Sequence, residues 1–303
     1  MRYREASPGR HPEHVPVLVD AVLEWLRPHP GGLYVDATVG AGGHAERILE
    51  ACGPDGQLVG IDRDPDALEA AGRRLSRFTG WVRLVSGDFR HLRNLLQEAG
   101  VREADGILFD LGVSSLQLER AERGFSFQLP GPLDMRMDPR QPQTAADLVN
   151  RLPENQLAEL LLRYGEEPFA RRIARSIVRR RPLRTTTDLV EAVQAAVPRS
   201  RWPRRTHVAT RTFQALRIAT NQELEALEAA LGQVPDVLRP GARVVVISFH
   251  SLEDRLVKQA FRSDPRLRPL TLKPVRPGPE ELRQNPRARS ARLRAAERVE
   301  GVR

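Results

Sequence analysis

LYVDATVGAGGHAERIL, residues 33–49, is the stretch that decides the fold, together with the apolar run QLVGID that ends at Asp62. An apolar strand runs into a turn containing Gly40, Gly42 and Gly43, and a helical pattern follows at once. Glycines in such a turn let the backbone approach a ligand closely, and an acid at the end of the next strand can accept hydrogen bonds from ribose hydroxyls. This order of strand, turn, helix and acid predicts a nucleoside-binding site.

The ligand of this turn has more than one interpretation. Gly40, Gly42 and Ala45 also satisfy the dinucleotide fingerprint, with Asp62 about 20 residues further on, so NAD stays open. Asp36, which ends the first strand, favours S-adenosylmethionine, because its carboxylate would repel a pyrophosphate but could face the ammonium group of an amino acid. We therefore favour the methyl donor. A glycine-rich turn that binds no ligand is the remaining alternative.

Strand-like runs recur along the chain, and helical stretches separate them in the first half. The runs are LYVDATV, QLVGID, WVRLVSGD, GILFDLG and ARVVVISF. This alternation is typical of the α/β class with a doubly wound parallel sheet. A long span with no strand signal separates the fourth run from the fifth, and we interpret it as an insertion between two elements of the sheet.

The insertion has a helical pattern. Two of its segments carry apolar residues at every fourth position, which is the spacing of one helix face, and a threonine cap precedes the second. These residues are Phe169, Ile173 and Ile177, and then Leu189, Val193 and Val197. Arginines 171, 172, 175 and 179 lie on the other faces of the first segment. This arginine-rich helix is either an RNA-binding face or an ordinary solvated surface.

Composition limits the class of protein. The chain has 303 residues, of which 40% are apolar, and this is enough for an ordinary core. It shows no apolar run of membrane-spanning length and no secretory leader pattern, so we expect a cytoplasmic protein that does not bind membranes. Cys52 is the sole cysteine, which excludes an intramolecular disulfide and a thiolate metal cluster. Histidines and carboxylates show no metal-binding spacing, so we expect no metal.

Charge points to a polyanionic partner. The formal net charge is +9, and Lys and Arg that neutralise phosphates supply much of the affinity of proteins for nucleic acid. Lys258 and Lys273 are the only lysines among the 48 basic residues. Arginine binds phosphate in a bidentate manner and stacks on bases, which suits RNA, although genome base composition would produce the same excess.

Ligands of doubly wound sheets lie beyond the carboxyl ends of the strands. The residues at those ends are Asp36 to His44, Asp62, Asp88 with Phe89, Asp110 to Ser115, and His250 to Asp254. Asp88 and Phe89 suit an adenine site, although Phe89 could simply pack in the core. Asp110 is the best candidate for the polar end of the donor or for the reacting centre. Ser114 and Ser115 could instead only cap the following helix.

These motifs carry a family resemblance. The chain resembles, nearly end to end, the bacterial 16S ribosomal RNA cytosine-N4 methyltransferases known as MraW or RsmH. The matching segments include HVPVLVD from His14, DATVGAGGH from Asp36, GIDRDPDAL from Gly60, FDLGVSSLQL from Phe109, GFSFQLPGPLDMRMD from Gly124, YGEEPFARRIARSIV from Tyr164, HVATRTFQALRIATNQEL from His207, LRPGARVVVISFHSLEDRLVK from Leu238 and NPRARSARLR from Asn285. Such a series is far more specific than a glycine turn alone.

The resemblance implies a Rossmann-like class I S-adenosylmethionine-dependent methyltransferase sheet with an inserted all-helical domain. We expect the sheet domain at residues 11–118 and 213–275, an RNA-recognition insert at 119–212, and a basic C-terminal tail at 276–303. By resemblance, the donor contacts fall on Gly42, Gly43, His44, Asp62, Phe89, Asp110 and Gln117. Gln117 is assigned by the resemblance alone.

The implied reaction is methyl transfer to the exocyclic N4 of a cytidine in the decoding region of 16S ribosomal RNA, within the small ribosomal subunit. Asp110, Ser114 and His250 are the candidate acceptors for the amino proton, and the sequence does not choose among them. Two other classes of function stay open. A nicotinamide-dependent oxidoreductase would use the dinucleotide fingerprint, and a noncatalytic RNA-binding ribosome-assembly protein would consume no donor.

Overall fold

A computed structural model describes residues 16–78 and 82–301 of the chain. Within these residues a single seven-stranded sheet has the strand order β3-β2-β1-β4-β5-β7-β6. The strands are β1 Leu33–Asp36, β2 Gln57–Asp62, β3 Val82–Ser86, β4 Ala104–Asp110, β5 Leu238–Ser248, β6 Leu267–Pro269 and β7 Arg292–Arg298. His14 and Val15 of the HVPVLVD motif, residues 11–15 of the expected sheet domain, Trp81 of the third strand run and residues 302 and 303 lie outside the described residues.

The five strand runs read from the sequence form β1 to β5, and all of them are parallel. β4 and β5 are neighbours in the sheet although the long insertion separates them in sequence. Their continuous apolar runs are buried because helices cover both faces of the sheet, which is the usual setting of parallel strands. The prediction of a Rossmann-like α/β fold is confirmed.

Helices connect the strands and build the insert. They are α1 Val19–Leu26, α2 Gly43–Cys52, α3 Pro65–Arg74, α4 Leu92–Glu98, α5 Ser115–Glu119, α6 Ala145–Arg151, α7 Glu154–Gly165, α8 Ala170–Arg180, α9 Thr186–Ala196, α10 Thr210–Asn221, α11 Glu223–Val237, α12 Ser251–Ser263 and α13 Pro279–Gln284. Helices α1, α2 and α3 pack on one face of the sheet, and α4, α11 and α12 pack on the other. Among the described residues, no helix is long and apolar enough to cross a membrane.

The insert buries a core of its own, separate from the two cores on the faces of the sheet. Ile173 and Ile177 of α8 are fully buried in it, as their spacing of four residues predicted. In α9, Leu189 and Val193 are buried, and the Thr185 hydroxyl accepts a hydrogen bond from the N–H of Asp188 as the predicted threonine cap. The helical nature of the insertion is confirmed.

The expected boundary at residue 213 is wrong because it falls inside α10. Phe213 and Leu216 of this helix are buried in the core of the insert, not against the sheet. The helix packs on α7 and continues to Asn221, where Gln222 ends it in the left-handed conformation. Since α11 then lies on the sheet, the insert ends near Asn221.

The expected C-terminal tail is also wrong as a separate basic segment. β7 lies within it and pairs antiparallel with β5, so Leu293 and Ala295 are completely buried. The arginines of β7 obscured this strand in the sequence. In the fold, two of them are paired with a carboxylate of α12. Arg294 Nε donates to Asp254 Oδ1 over 2.6 Å, and Arg292 Nη1 lies 3.4 Å from Asp254 Oδ2. The segment is therefore an integral part of the sheet.

Candidate functional site

The glycine turn lies between β1 and α2, and its backbone conformation and packing require glycines. Gly40 and Gly42 have φ angles of +51° and +81°, which favour glycine over other residues. A Cβ atom on Gly42 would lie 3.3 Å from Leu75 Cγ, and one on Gly43 would lie 3.0 Å from Pro16 Cγ. The turn is therefore closely packed from two sides.

Replacement of Gly42 by alanine is expected to lower the free energy of unfolding by about 1–3 kcal/mol, because the left-handed backbone becomes strained and the new methyl group crowds Leu75. Thermal and urea denaturation would measure this loss. Gly232 of α11 is the matched control, since it is exposed and a Cβ atom added to it would meet no other atom within 4 Å. Gly232→Ala should stabilise the protein by up to about 1 kcal/mol. Equal effects of the two changes would contradict the packing argument.

Asp62 ends β2 and organises two turns. Its Oδ2 accepts a hydrogen bond from Gly40 N over 2.9 Å, and its Oδ1 accepts one from Asp64 N over 2.9 Å. Burial raises the pKa of Asp62, while these two backbone N–H groups act in the opposite direction. Each carboxylate oxygen has a second lone pair, so the side chain can still accept hydrogen bonds from ribose hydroxyls. The structure places Asp62 beside the glycine turn, as the sequence indicated.

The buried Asp36 and His44 and the partly buried Asp110 form a cluster at the ends of β1 and β4. His44 Nε2 lies 2.8 Å from Val17 O, so this nitrogen carries the proton and donates it to the carbonyl. His44 Nδ1 is then unprotonated and lies 3.5 Å from Asp110 Oδ2. Thr38 joins the two acids, since its N–H donates to Asp36 and its hydroxyl accepts a hydrogen bond from Asp110 N over 2.6 Å.

The cluster favours neutral side chains when nothing cationic is bound. Burial raises the pKa of Asp36 to about 7, against the opposite influence of His44. Burial, with a smaller contribution from Glu253, also raises the pKa of Asp110 to about 7. Burial lowers the pKa of His44. Asp110 Oδ1 is buried and has no hydrogen-bond partner among the described residues. A bound cation would therefore shift these carboxyls toward their ionised forms.

Ser114 and His250 both serve as helix caps. Ser114 Oγ accepts a hydrogen bond from Gln117 N, and Gln117 Oε1 accepts one from Ser114 N, which makes a capping box at the start of α5. At the start of α12, His250 Nδ1 accepts from Glu253 N, and His250 Nε2 lies 3.0 Å from Glu253 Oε1. The capping role that the sequence left open for Ser114 is present, and both ring nitrogens of His250 face Glu253.

Gln117 belongs to a buried network that sequence reasoning missed. Its Nε2 donates to Asp64 Oδ2 over 2.8 Å, and Arg123 Nη2 donates to the same oxygen over 2.9 Å. Asp64 is 1% exposed, so two donors stabilise its buried charge. The Asp64-Pro65 pair in GIDRDPDAL signals a helix cap, and Asp64 does accept from Asp66 N. No local pattern could have indicated Arg123, which reaches Asp64 across the fold.

Phe89 and Asp88 follow β3 at the same edge of the sheet. The ring of Phe89 meets Phe109 edge to face, with centroids 5.7 Å apart. Asp88 is ion-paired, with Oδ2 lying 3.3 Å from Arg63 Nη1. A cleft of about 420 Å³ opens here between the sheet and the insert, lined by Arg63, Asp88, His91, Gln143, Thr220 and Gln222 among others. No group of three His, Cys, Asp or Glu side chains in residues 16–78 and 82–301 is placed to hold a metal ion.

The predicted residues thus gather along the carboxyl ends of β1 to β4. Gly42, Gly43 and His44 form the turn and the start of α2, Asp62 holds the turn, and Asp110 contacts His44. Together, the strand order, the glycine turn and the acids at the strand ends define a Rossmann-like methyltransferase.

Comparison with known proteins identifies the particular group. The chain belongs to the MraW methylase family, whose model matches residues 11–299. It is 52% identical to a protein from Pelobacter propionicus over 95% of this chain and 99% of that one, and 53% identical to one from Geobacter sulfurreducens over 94% and 99%. Both relatives are named Ribosomal RNA small subunit methyltransferase H. Aeropyrum pernix fibrillarin, solved with S-adenosyl-L-methionine, matches at a TM-score of 0.45 and 11% identity, covering 95% of this chain and 85% of that one.

Proposed function

We propose that this protein transfers the methyl group of S-adenosylmethionine to the exocyclic N4 of a cytidine in the decoding region of 16S ribosomal RNA, within the small ribosomal subunit in the cytoplasm. Membership of the MraW methylase family and relatives named for the small-subunit RNA support the class of substrate. The motif resemblance supports the cytidine N4 atom. The observation that best supports the proposal is the pair of carboxyls formed by the buried Asp36 and the partly buried Asp110, which suits a cationic donor.

The proposed donor site consists of Gly42, Gly43, His44, Asp62, Phe89, Asp110 and Gln117. S-adenosylmethionine, when bound, supplies a sulfonium-activated methyl group and an ammonium group. The unpartnered Asp110 Oδ1 and the acids around it fit such a ligand because each gains a favourable interaction when its charge is restored. The turn at Gly42 and Gly43 would leave room for the ligand, Asp62 would bind ribose hydroxyls, and the ring of Phe89 would give adenine an apolar contact.

The reaction at N4 needs alignment and a proton acceptor more than a strong nucleophile. The N4 lone pair is delocalised into the ring, so correct orientation could supply much of the rate enhancement, up to about 7–11 kcal/mol in favourable cases. We assign the acceptor of the amino proton to Asp110. In the protein without donor, burial raises its pKa to about 7, which is in the range of a general base working near neutral pH, and its Oδ1 has no hydrogen-bond partner among the described residues. Ser114 and His250 are weaker candidates because both are engaged as caps.

The test is incubation of the protein with undermethylated 30S subunits and methyl-labelled S-adenosylmethionine, followed by nuclease digestion and mass spectrometry of the RNA. We expect N4-methylcytidine in the decoding region. Tight donor binding with no label in RNA would refute the proposed substrate, and binding to 30S subunits without donor use would favour an assembly protein. NADH titration followed by fluorescence serves as a control, since binding there would favour the dinucleotide interpretation of the turn.

A further inference from the structure

The arginines of the described residues are distributed unevenly between paired and unpaired states. Most of those on the sheet domain bind a carboxylate or a backbone carbonyl, as Arg74 does with Glu46 and Arg243 with Glu297. A group in the insert lacks any such partner and is exposed. This group, which we call the basic face, consists of Arg171, Arg172, Arg179, Arg180, Arg201, Arg204 and Arg205. Seven unpaired positive charges within one short part of the chain call for a physical reason.

Helix α8 presents part of the basic face as a stripe. At about 100° per residue, Arg171, Arg172 and Arg179 fall within an arc of roughly 100° on the helix surface. Ile173 and Ile177 occupy the opposite side and are completely buried in the core of the insert. The packing of these two isoleucines therefore holds the arginines outward.

A second element extends this stripe, and its sequence pattern did not single it out. Five residues connect the end of α8 to the start of α9, and Ser176 Oγ near the middle of α8 donates to Ala192 O near the middle of α9 over 2.7 Å, so the two helices run antiparallel. The end of α9 consequently lies near the start of α8, and the short 3₁₀ helix Arg199–Arg201 follows it directly. Trp202 anchors this segment, because its Nε1 donates to Val197 O over 3.0 Å.

Two carboxylates of this region are engaged by other groups, and the exposed Glu159 and Glu191 form no ion pair with the basic face among the described residues. Glu154 Oε1 lies 3.3 Å from Arg175 Nε, so Glu154 neutralises the one paired arginine of α8. Asp188 accepts hydrogen bonds from the backbone N–H groups of Arg184 and Thr185 at the start of α9. The seven arginines therefore outnumber the unpaired carboxylates, and the basic face keeps a net positive charge that can attract an external polyanion.

We infer that the basic face binds the sugar-phosphate backbone of the RNA substrate, an inference that rests on the proposed function. Guanidinium groups bind phosphate oxygens in a bidentate manner, and phosphate contacts position a protein on RNA without reading its sequence. The C-terminal segment, the other arginine-rich part of the chain, is less suited to this role, because Arg292 and Arg294 are bound to Asp254 and Arg287 to Glu119.

The test removes three charges from the basic face, two from α8 and one from the 3₁₀ helix, through the combined change Arg172→Gln, Arg179→Gln and Arg201→Gln. Binding to undermethylated 30S subunits is measured between about 50 and 300 mM salt, a roughly sixfold range of concentration. We expect the association constant to fall by about 10–100-fold near 0.15 M salt, and the slope of log K against log salt to shrink by about 2–3. Donor affinity, measured by calorimetry, should be unchanged.

The matched control removes the same charge elsewhere, through Arg27→Gln, Arg102→Gln and Arg262→Gln. These exposed arginines also lack ion-pair partners among the described residues. Arg27 and Arg102 precede β1 and β4, at the edge of the sheet opposite to the proposed active site, and Arg262 lies in the last turn of α12. Thermal denaturation of both triple variants verifies that each is folded.

Three outcomes decide the inference. Loss of 30S binding in the first triple variant but not in the control supports it. Equal loss in both variants would show a nonspecific effect of net charge, and no loss in either would show a solvated surface; both results overturn it. The wild-type protein reports separately on the proposed function. If it forms no N4-methylcytidine while the two variants still differ in 30S binding, the reaction is wrong and the RNA-binding face stands.

Discussion

Asp110→Asn is expected to lower the single-turnover rate of methyl transfer at saturating donor by about 10²–10⁴-fold, the usual contribution of a general base. The change keeps the shape of the side chain but removes its capacity to take up a proton. For the wild-type protein without donor, burial raises the pKa of Asp110 to about 7, and only the ionised form accepts a proton. At low donor concentration the rate should therefore rise as the pH increases through about 7, and at saturating donor the rise should move to lower pH, because the cationic donor favours the ionised carboxylate. Rapid quench with labelled donor would measure both effects.

Ser114→Ala provides the control for this prediction. Removal of the hydroxyl deletes one cap of α5 and should cost about 1 kcal/mol of stability. It should leave the single-turnover rate within a few-fold of wild type. Donor affinity of the Asp110 variant, measured by calorimetry, separates loss of binding from loss of chemistry. If Ser114→Ala reduces the rate as strongly as Asp110→Asn, the proton acceptor has been assigned to the wrong residue.

Asp36→Asn is expected to raise the free energy of unfolding by about 2–4 kcal/mol at pH 8, while it weakens donor binding. Asp36 is 1% exposed, and burial raises its pKa to about 7 from an ordinary value of 3.8. Between these two values the folded protein holds the proton more tightly than the unfolded chain does, so the wild type loses stability as the pH rises from about 4 to 7. The asparagine variant has no such loss, and its advantage should grow with pH and level off above 7.

Urea denaturation at pH 5, 7 and 8 would measure this dependence. Asp188→Asn serves as a control, because its effect on the free energy of unfolding should have the opposite sign. Hydrogen bonds from backbone N–H groups of Arg184 and Thr185 lower the pKa of Asp188. Its replacement should therefore destabilise the protein at pH 8, and the difference should vanish as the pH falls through the depressed pKa. A neutral or destabilising effect of Asp36→Asn at pH 8 would show that Asp36 is ionised in the folded protein without ligand.

Both predictions describe a site that is less stable without its ligand than with it. Burial of Asp36 and Asp110 beside a neutral His44 costs stability above pH 7, and a cationic donor would recover this cost on binding. The same property should favour the positively charged donor over its neutral product. A stability cost located at the site of chemistry is consistent with the trade-off between stability and activity seen in other enzymes.

The order of elements could be predicted from the sequence because its signals are local. β1 to β5 are apolar runs long enough to be recognised alone, and the glycines after β1 are required by the backbone of one turn. Helices α8 and α9 were recognised for the same reason, since residues four apart share a face. The acids at the strand ends followed from the rule that parallel strands bring their carboxyl ends to one edge.

The tertiary structure alone decided the features that depend on distant partners. β7 is a strand because β5 offers an open edge and Asp254 neutralises its arginines, and α10 joins the insert because Phe213 and Leu216 meet apolar side chains there. Distant partners also decide three further features. They are the hydrogen bond of Arg123 to Asp64, the raised pKa values of Asp36 and Asp110, and the difference between paired and unpaired arginines. Desolvation and ion pairing depend on which groups lie within a few ångströms of each other, and neighbours in space are not neighbours in sequence.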